Sequence, residues 1–374
     1  MPSSTSEKAH LRFALSLHRA IAAGESNACW SPYSVASALG LVATAGRGPT
    51  ADEVAALLAG APVDVSGQAE LLSAAARLSA RASSRGSEEP VLAVANTLWA
   101  WDQLTVKQGF RARLETWPGG GVASAPFVEE PEKARAAINA DVAATTRGLI
   151  PELLPSGAVR ANTAACLVNA LYLKVAWATR FAEADTTGAA FHAPSGTRTV
   201  PTMRRTGKFG YAAARGWRIV TIPAEGGVEA VVLLPDDALP ARESAVDEAE
   251  LAELLAAPTS AEVALSLPRI ALDLRADLRE PLAGLGVSTM FGSEADFGPL
   301  TDDERMAVSD VLHQSVLRVE EGGIEGAAAT AVTFRLTSMP AGKPVEVKVD
   351  RPFLLLVRDA ETGALYFMAR VVEP

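Results

Sequence analysis

The chain has 374 residues, of which 49% are hydrophobic and 21% charged, and its net charge is -10. This length and composition exclude a wholly disordered protein and allow a large buried core. The acidic balance, with no clustered basic face, excludes electrostatic binding to nucleic acid. No apolar run approaches the ~20 residues that a membrane-spanning helix needs.

The beginning of the chain predicts helices. Apolar residues between Leu11 and Ile21 favour a helix that packs on one face, and a second helix is predicted from Val35 to Ala45. Ser31 before Pro32 suits the cap of that second helix. A short third helix follows from Thr50 to Leu58.

The N-terminal residues lack a basic region followed by a continuous apolar core. This argues against a secretory signal and predicts a cytoplasmic protein, with an extracellular location left open. Cys29 and Cys166 lie in apolar segments, so they are expected to be buried thiols rather than a disulfide framework or a metal site.

The middle of the chain contains two strong strand signals. Val91 to Trp101 reads as a buried strand in which Asn96 needs a hydrogen-bond partner. Pro131 to Leu154 carries helical signals. Thr163 to Trp177 is apolar on both faces, which predicts a central strand of a sheet.

The later residues of the chain are dominated by strands, and the mixed content indicates an α+β fold. Short segments between Phe191 and Leu234 read as antiparallel sheet. The predicted elements are strands at Phe209 to Ala212, Trp217 to Ile222 and Val228 to Pro235, a helix at Ser244 to Ala256, a strand at Ala261 to Leu274, a helix at Leu278 to Leu285, and a strand at Met306 to Arg318.

The segment from Glu320 to Pro340 has the pattern of a strand but the composition of a linker. Every second residue is small or apolar, namely Ile324, Gly326, Ala328, Thr330, Val332, Phe334 and Leu336. Strict alternation marks a strand with one buried face, whereas Gly and Ala are poor strand formers. We therefore expect a loop in one state and a strand in another. A plain strand or an Ala-rich helix is the alternative, although the glycines oppose a helix.

Several segments resemble the serpin family. The run from Glu321 to Ala331 is similar to the hinge of the serpin reactive-centre loop, and Val347 to Leu355 is similar to the C-terminal signature. Leu365 to Val372 resembles the closing strand, and Leu167 to Lys174 resembles the central strand of the main sheet. Gln314 and Ser315 depart from the usual Lys-Ala of the family.

The resemblance implies one serpin domain over residues 1–374, in a bacterial-type intracellular member of the family. Its fold would be α+β, with helices packed on a large central mixed or antiparallel sheet, two smaller sheets and an exposed reactive-centre loop at about 321–343. It also implies three groups of site residues. The hinge is Glu321, Gly323, Ile324, Glu325, Gly326, Ala327, Ala328, Ala329 and Thr330. The shutter group is Ser31, Ser34, Asn169 and His313, with His313 expected to bond Asn169 and the serines. The breach group is Trp177, Arg269 and Glu321, in which the two charged residues are expected to pair.

Nothing in the sequence indicates an enzyme. There is no G-x-S-x-G, H-E-x-x-H, C-x-x-C, P-loop or G-x-G-x-x-G motif. The chain has four histidines, and His313, inside an apolar strand pattern, is expected to be structural. No cofactor and no metal are predicted.

The resemblance implies suicide inhibition of a serine protease by a protein expected to be a monomer. Family spacing places the reactive bond between Thr337 and Ser338, which suits an elastase-like or subtilisin-like protease. A one-residue slip would offer Leu336 to a chymotrypsin-like enzyme, and a slip of two would offer Arg335 to a trypsin-like enzyme. The alternative function is a non-inhibitory binding or chaperone protein. Ile324 supports it, because inhibitors commonly carry Thr or Ser there.

Overall fold

The computed structural model describes residues 4–22, 24–60, 64–78, 89–114, 117–160, 163, 165–303, 306–309, 311–325 and 343–374. The helices within these ranges are α1 (Ser4–Ile21), α2 (Pro32–Ala45), α3 (Pro49–Ala59), α4 (Ser66–Ala75), α5 (Gln108–Leu114), α6 (Pro131–Thr145), α7 (Leu239–Ala245), α8 (Glu248–Ala256) and α9 (Arg279–Gly284).

The strands fall mostly in the second half of the chain. They are β1 (Ala28–Trp30), β2 (Val91–Trp101), β3 (Gly120–Ala125), β4 (Ala165–Ala176), β5 (Thr187–Ala193), β6 (Gly196–Ala214), β7 (Trp217–Pro223), β8 (Val228–Pro235), β9 (Thr259–Pro268), β10 (Ile270–Asp277), β11 (Leu312–Glu320), β12 (Gly323–Ile324), β13 (Val345–Lys348), β14 (Phe353–Asp359) and β15 (Leu365–Val371).

A six-stranded mixed sheet has the order β10-β11-β12-β4-β2-β3. The β2–β3 pair is parallel and the other neighbours are antiparallel. Within the described residues, β11 and β4 are joined only through the two residues of β12. The central position of β4 explains why its sequence is apolar on both faces.

The other strands form one nine-stranded sheet with the order β1-β15-β14-β8-β7-β6-β9-β13, and β5 pairs with β6. The two smaller sheets expected from the sequence are thus joined. The 19-residue strand β6 joins them because it pairs with β5 along its first residues, with β9 along its middle and with β7 at its end.

The six-stranded sheet has a hydrophobic core on each face. One core includes Leu171, Leu173 and Val175 of β4 together with side chains of α2. The second core lies under α6, where Ile138 and Val142 belong to the same apolar cluster as side chains of β4. The two faces of β4 therefore alternate between two cores, as the period of two in a strand requires.

Several predicted elements differ from the observed ones. The strand expected at Ala261 to Leu274 is two strands in different sheets, divided at Arg269, whose N–H bonds to the carbonyl of Pro201 at 2.9 Å. The helix expected at Ser244 to Ala256 is divided because Asp247 caps a new helix by accepting from the Glu250 N–H at 2.8 Å. Such a cap satisfies a backbone donor that a helix leaves free.

The helix expected to reach Leu154 ends at Thr145. Arg147 and Gly148 have φ of 51° and 82°, and the Gly148 N–H bonds back to Ala143 at 2.8 Å. This left-handed ending is a common stop for helices. The strand expected from Met306 begins only at Leu312, and Met306 is instead buried in the core outside any strand.

Candidate functional site

The hinge enters the six-stranded sheet between β11 and β4. Gly323 lies opposite Glu320 and Ala176, and Ile324 lies opposite Val319 and Val175. The Ile324 side chain is only 1% exposed. A Cβ on Gly323 would collide with the Val175 carbonyl oxygen, so the strand enters here because this residue is Gly.

Backbone hydrogen bonds hold the residues just before β12. The Trp177 N–H donates to the Gly322 carbonyl at 3.0 Å, and the Phe181 N–H donates to the Glu321 carbonyl at 3.1 Å. The Trp177 indole Nε1–H donates to the Glu320 carbonyl at 2.8 Å. The top of β4 therefore binds the turn from which the hinge starts.

An ion pair fixes the same turn from the other side. Arg269 Nε donates to Glu321 Oε1 and Oε2 at 2.9 and 3.1 Å, and the Thr186 hydroxyl also donates to Oε1. The Glu321 side chain is 7% exposed, whereas that of Arg269 is 44% exposed. Burial alone would raise the pKa of Glu321, but the bonds from Arg269 and Thr186 outweigh it and leave that pKa below its usual value.

A chain of buried polar groups crosses the underside of the same sheet. The Ser34 hydroxyl donates to Asn169 Oδ1, the Asn169 amide donates to Asn96 Oδ1, and the Asn96 amide donates to the Pro118 carbonyl at 2.6 Å. Ser31 caps α2 by accepting from the Ser34 N–H at 3.1 Å. These hydrogen bonds link α2, β4 and β2.

His313 joins this group from β11. Its Nε2 accepts from the Ser31 N–H at 3.1 Å, and its Nδ1 has no partner among the described residues. Burial lowers its pKa to about 4, so the ring is neutral at physiological pH. A further residue of β11 is also anchored here, because the Ser315 hydroxyl donates to the Cys29 carbonyl at 2.7 Å.

The structure thus brings the breach residues Trp177, Arg269 and Glu321 together at the top of the sheet. Ser31, Ser34, Asn169 and His313 lie together beneath its middle. The direct bond expected between His313 and Asn169 is not found among the described side chains, because the two serines stand between them. The hinge residues Gly326, Ala327, Ala328, Ala329 and Thr330 and the reactive-bond residues Leu336, Thr337 and Ser338 lie outside the described residues.

Sequence reasoning missed three contributors to this site. Thr186 bonds Glu321, and no sequence pattern marks it. The hydroxyl of Tyr172 interacts with Glu325, and the Arg147 guanidinium lies 5.2 Å from the centre of the Tyr172 ring. Residues two apart in a strand share a face, so alternation could have placed Tyr172 on the same face of β4 as Lys174.

Neither a metal centre nor a membrane-spanning helix occurs among the same residues. No group of three or more His, Cys, Asp or Glu that could hold a metal ion is found in the described ranges. None of the described helices combines the length and the apolar character required to cross a bilayer.

Comparisons with known proteins agree with this geometry. The family model described as Serpin (serine protease inhibitor) matches residues 8–374. A serpin-like protein of Thermococcus kodakarensis is 30% identical over 97% of this chain and 84% of its own length. The leukocyte elastase inhibitor of Bos taurus is 33% identical over 92% of each chain.

Solved structures show the same fold. Uncleaved ovalbumin superposes with a TM-score of 0.85 at 22% identity, covering 99% of this chain and 100% of its own. Thyroxine-binding globulin in complex with thyroxine gives a TM-score of 0.84 at 23% identity, covering 98% and 99%. At this identity the likeness concerns the fold alone.

Proposed function

The chain belongs to the serpin family, and from this premise we propose that it inhibits a serine-type endopeptidase by suicide cleavage of its reactive loop. This is a family of inhibitors rather than of enzymes. We also propose that residues 1–374 form one serpin domain and that the protein acts as a monomer. We further propose that it is a bacterial-type, intracellular member of the family.

One observation carries the proposal: β12 has already begun a strand between β11 and β4. Its two residues pair with both neighbours. If the same register continued, Gly326 would lie between Leu173 and Leu317. Ala328 would then lie between Leu171 and Ser315.

Continued further, this register would put Thr330 between Asn169 of β4 and His313 of β11. The inserted strand would therefore separate these members of the shutter group at the level of Thr330. Ser34 lies in α2 and Ser31 caps it, so insertion would require β4 and β11 to move apart while the bonds of Asn169 and His313 to these serines adjust. This gives the buried polar chain a role in opening the sheet.

Burial of apolar side chains supplies the driving force. In the extended register every second residue faces the same core as Ile324, Leu171 and Leu173. Val332 and Phe334 would bury their side chains there, at ~25 cal/mol per Å² of apolar area. Residues Gly323 to Thr337 would span about 50 Å at ~3.3 Å per residue, enough to carry an attached protease along the sheet.

The chemistry is that of an interrupted hydrolysis. The serine of the protease attacks the Thr337 carbonyl, the bond to Ser338 breaks, and the new amine of Ser338 takes the proton. The Thr337 acyl group is left as an ester on the protease. Insertion then distorts the protease active site before water can cleave the ester.

The target we propose is an elastase-like or subtilisin-like serine protease, with a chymotrypsin-like enzyme reading Leu336 as the alternative. Thr337 is an uncharged residue of medium size. Relatives from cattle and man carry the name leukocyte elastase inhibitor and are 33% identical to this chain.

The test is to mix the protein with elastase, chymotrypsin, subtilisin and trypsin and to separate the products on a denaturing gel. We expect a covalent band at the summed mass with at least one of them. Sequencing the released C-terminal fragment locates the bond, and Ser338 should be its first residue. Cleaved chain without a covalent band for every protease would contradict inhibition and would favour the non-inhibitory binding protein.

Ile324 is the main argument for that non-inhibitory alternative. In the structure, however, its side chain is 1% exposed and lies in the ladder between Val319 and Val175. A large apolar residue therefore fits the sheet at this position, and it need not prevent insertion.

A further inference from the structure

Glu325 is the residue at which the inserted end of the hinge stops. Its N–H still donates to the Arg318 carbonyl at 2.7 Å, so the ladder with β11 continues for one more bond. Its backbone, however, has φ of 62°, in the left-handed region that residues other than Gly rarely adopt. A strand cannot continue through this conformation, so Glu325 must change its backbone before the next residue can enter.

The side chain of Glu325 also lies against β4. Its Oε2 is buried without a hydrogen-bond partner among the described residues, and its carboxylate interacts with the hydroxyl of Tyr172, which lies on β4 and is 4% exposed. The pKa of Tyr172 is raised to about 12, mainly by burial and to a smaller extent by the interaction with the negatively charged Glu325. The hydroxyl therefore keeps its proton and can donate a hydrogen bond to the carboxylate. Hydrogen bonds to a carboxylate are stronger than those between neutral groups.

Arg147 completes the contact from the helix that covers the sheet. Its guanidinium lies 5.2 Å from the centre of the Tyr172 ring and also reaches the Tyr172 hydroxyl. Arg147 follows the end of α6, in the left-handed turn that stops that helix. One aromatic ring therefore connects the covering helix, the central strand and the hinge.

We propose that Tyr172 and Arg147 act as positioning residues that latch Glu325, so that the hinge stays at two inserted residues and the rest of the loop enters more slowly. The inference rests on the proposed function, because it assigns to these residues the control of the insertion rate. That rate competes with hydrolysis of the acyl-enzyme and so decides how much protease is trapped.

A second position for the Glu325 carboxylate is visible in the register. If β12 grew by one residue, Glu325 would lie between Lys174 of β4 and Arg318 of β11, both positively charged. Opposite charges on neighbouring strands attract. The carboxylate would then lie between two cationic side chains, which makes release of the latch a switch between defined positions.

The test compares Tyr172→Phe, which removes only the hydroxyl, with the unchanged protein. The first measurement is hydrogen exchange of the Glu325 amide in the uncut chain, which needs no protease. The second is the rate at which the protein, cut in the loop by subtilisin, gains its heat-resistant form. Loss of one charge-assisted hydrogen bond should raise both rates about tenfold.

Three further variants separate a latch from general loosening. Arg147→Asn should raise the exchange rate in the same direction, because Asn accepts the left-handed backbone but lacks the cation. Arg147→Lys keeps the positive charge, so the Glu325 amide should exchange as slowly in this variant as in the unchanged protein. Tyr211→Phe, on β6, should change neither measurement.

The outcomes decide the two proposals separately. Unchanged exchange of the Glu325 amide in both Tyr172→Phe and Arg147→Asn would overturn the latch, and so would faster exchange without faster insertion. If the unchanged protein is cut but never becomes heat-resistant, the proposed function fails. In that case the exchange measurement still shows whether Tyr172 holds Glu325.

Discussion

At the scale of single residues, the buried histidines connect the fold to pH. Burial lowers the pKa of His313 and of His10 from the usual 6.5 to about 4, although bonds to Gln68 and Leu365 partly oppose this for His10. Both rings are therefore neutral in the native state at a pH where an unfolded histidine is charged. The unfolded chain binds more protons between pH 4 and 6.5, so stability must fall as the pH falls through that window.

We expect His313→Gln to weaken this dependence. The unfolded variant binds one proton fewer at this position, so the difference in bound protons between the unfolded and native states is smaller by up to one. The slope of unfolding free energy against pH should therefore decrease by up to about 1.4 kcal/mol per pH unit. Urea unfolding between pH 4.5 and 7.5 measures the slope. His192→Gln is the matched control because His192 is exposed, and equal slopes in the two variants would contradict the assignment.

The ion pair at the top of the sheet makes a second prediction at this scale. Arg269→Gln leaves the buried carboxylate of Glu321 with Thr186 as its side-chain donor. We expect the native state to lose about 1 kcal/mol, a modest amount because Arg269 is nearly half exposed. We also expect faster loop insertion, measured by the gain of heat resistance after cleavage.

A control of equal exposure exists for that substitution. Arg218 is also 44% exposed, but its partner Asp236 is 45% exposed. Arg218→Gln should therefore change neither stability nor insertion. If the two variants behaved alike, the buried position of Glu321 would have no special effect.

At the scale of elements, the alternation of the reactive loop makes the sharpest prediction. Thr330 belongs to the set that would face the core during insertion, between Asn169 and His313. An Arg at that position would bury an unpaired charge, which costs several kcal/mol and should slow insertion by about 100-fold or more. Thr330→Arg should thus turn an inhibitor into a substrate.

The measurement is the number of inhibitor molecules consumed for each protease molecule trapped. Thr333→Arg is the control, because Thr333 shares its face with Arg335, so the sequence already carries a positive charge on that face. An unchanged number for Thr330→Arg would count against insertion in this register.

Periodicity predicted the long elements well and their interruptions poorly. Val91–Trp101 and Val228–Pro235 have the predicted bounds because apolar residues continue to the last paired position. Arg269 was missed as a boundary because the residues on both sides of it are equally strand-like, and only pairing in two different sheets separates them. Two other boundaries did carry local signals, namely the Asp247 to Glu250 capping pattern and Gly148.

The candidate site shows the same division between local and non-local information. The grouping of Ser31, Asn169 and His313 came from family resemblance, since residues so far apart in sequence share no spacing rule. The contact of Thr186 with Glu321 and that of Tyr172 with Glu325 depend on how strands align across the sheet. Such alignments follow from the whole pattern of pairing and cannot be read from one segment.

At the scale of the whole molecule, inhibition by strand insertion requires a native state that is not the most stable one. The six-stranded sheet holds two residues of a strand that could continue along the full length of β4. The free energy that would be released by completing this strand is not gained while the loop is intact. The native protein is then protected by a barrier, and its persistence is a matter of rate.

The melting temperature before and after one cut in the reactive loop tests this claim most directly. The cut is made between Phe334 and Met339, and both forms are heated at the same scan rate. Insertion would bury several apolar side chains at about 1.5–3 kcal/mol each, so we predict a rise of about 10 °C or more in the cut protein. An unchanged melting temperature, with the new chain ends still adjacent in a crystal structure, would contradict it.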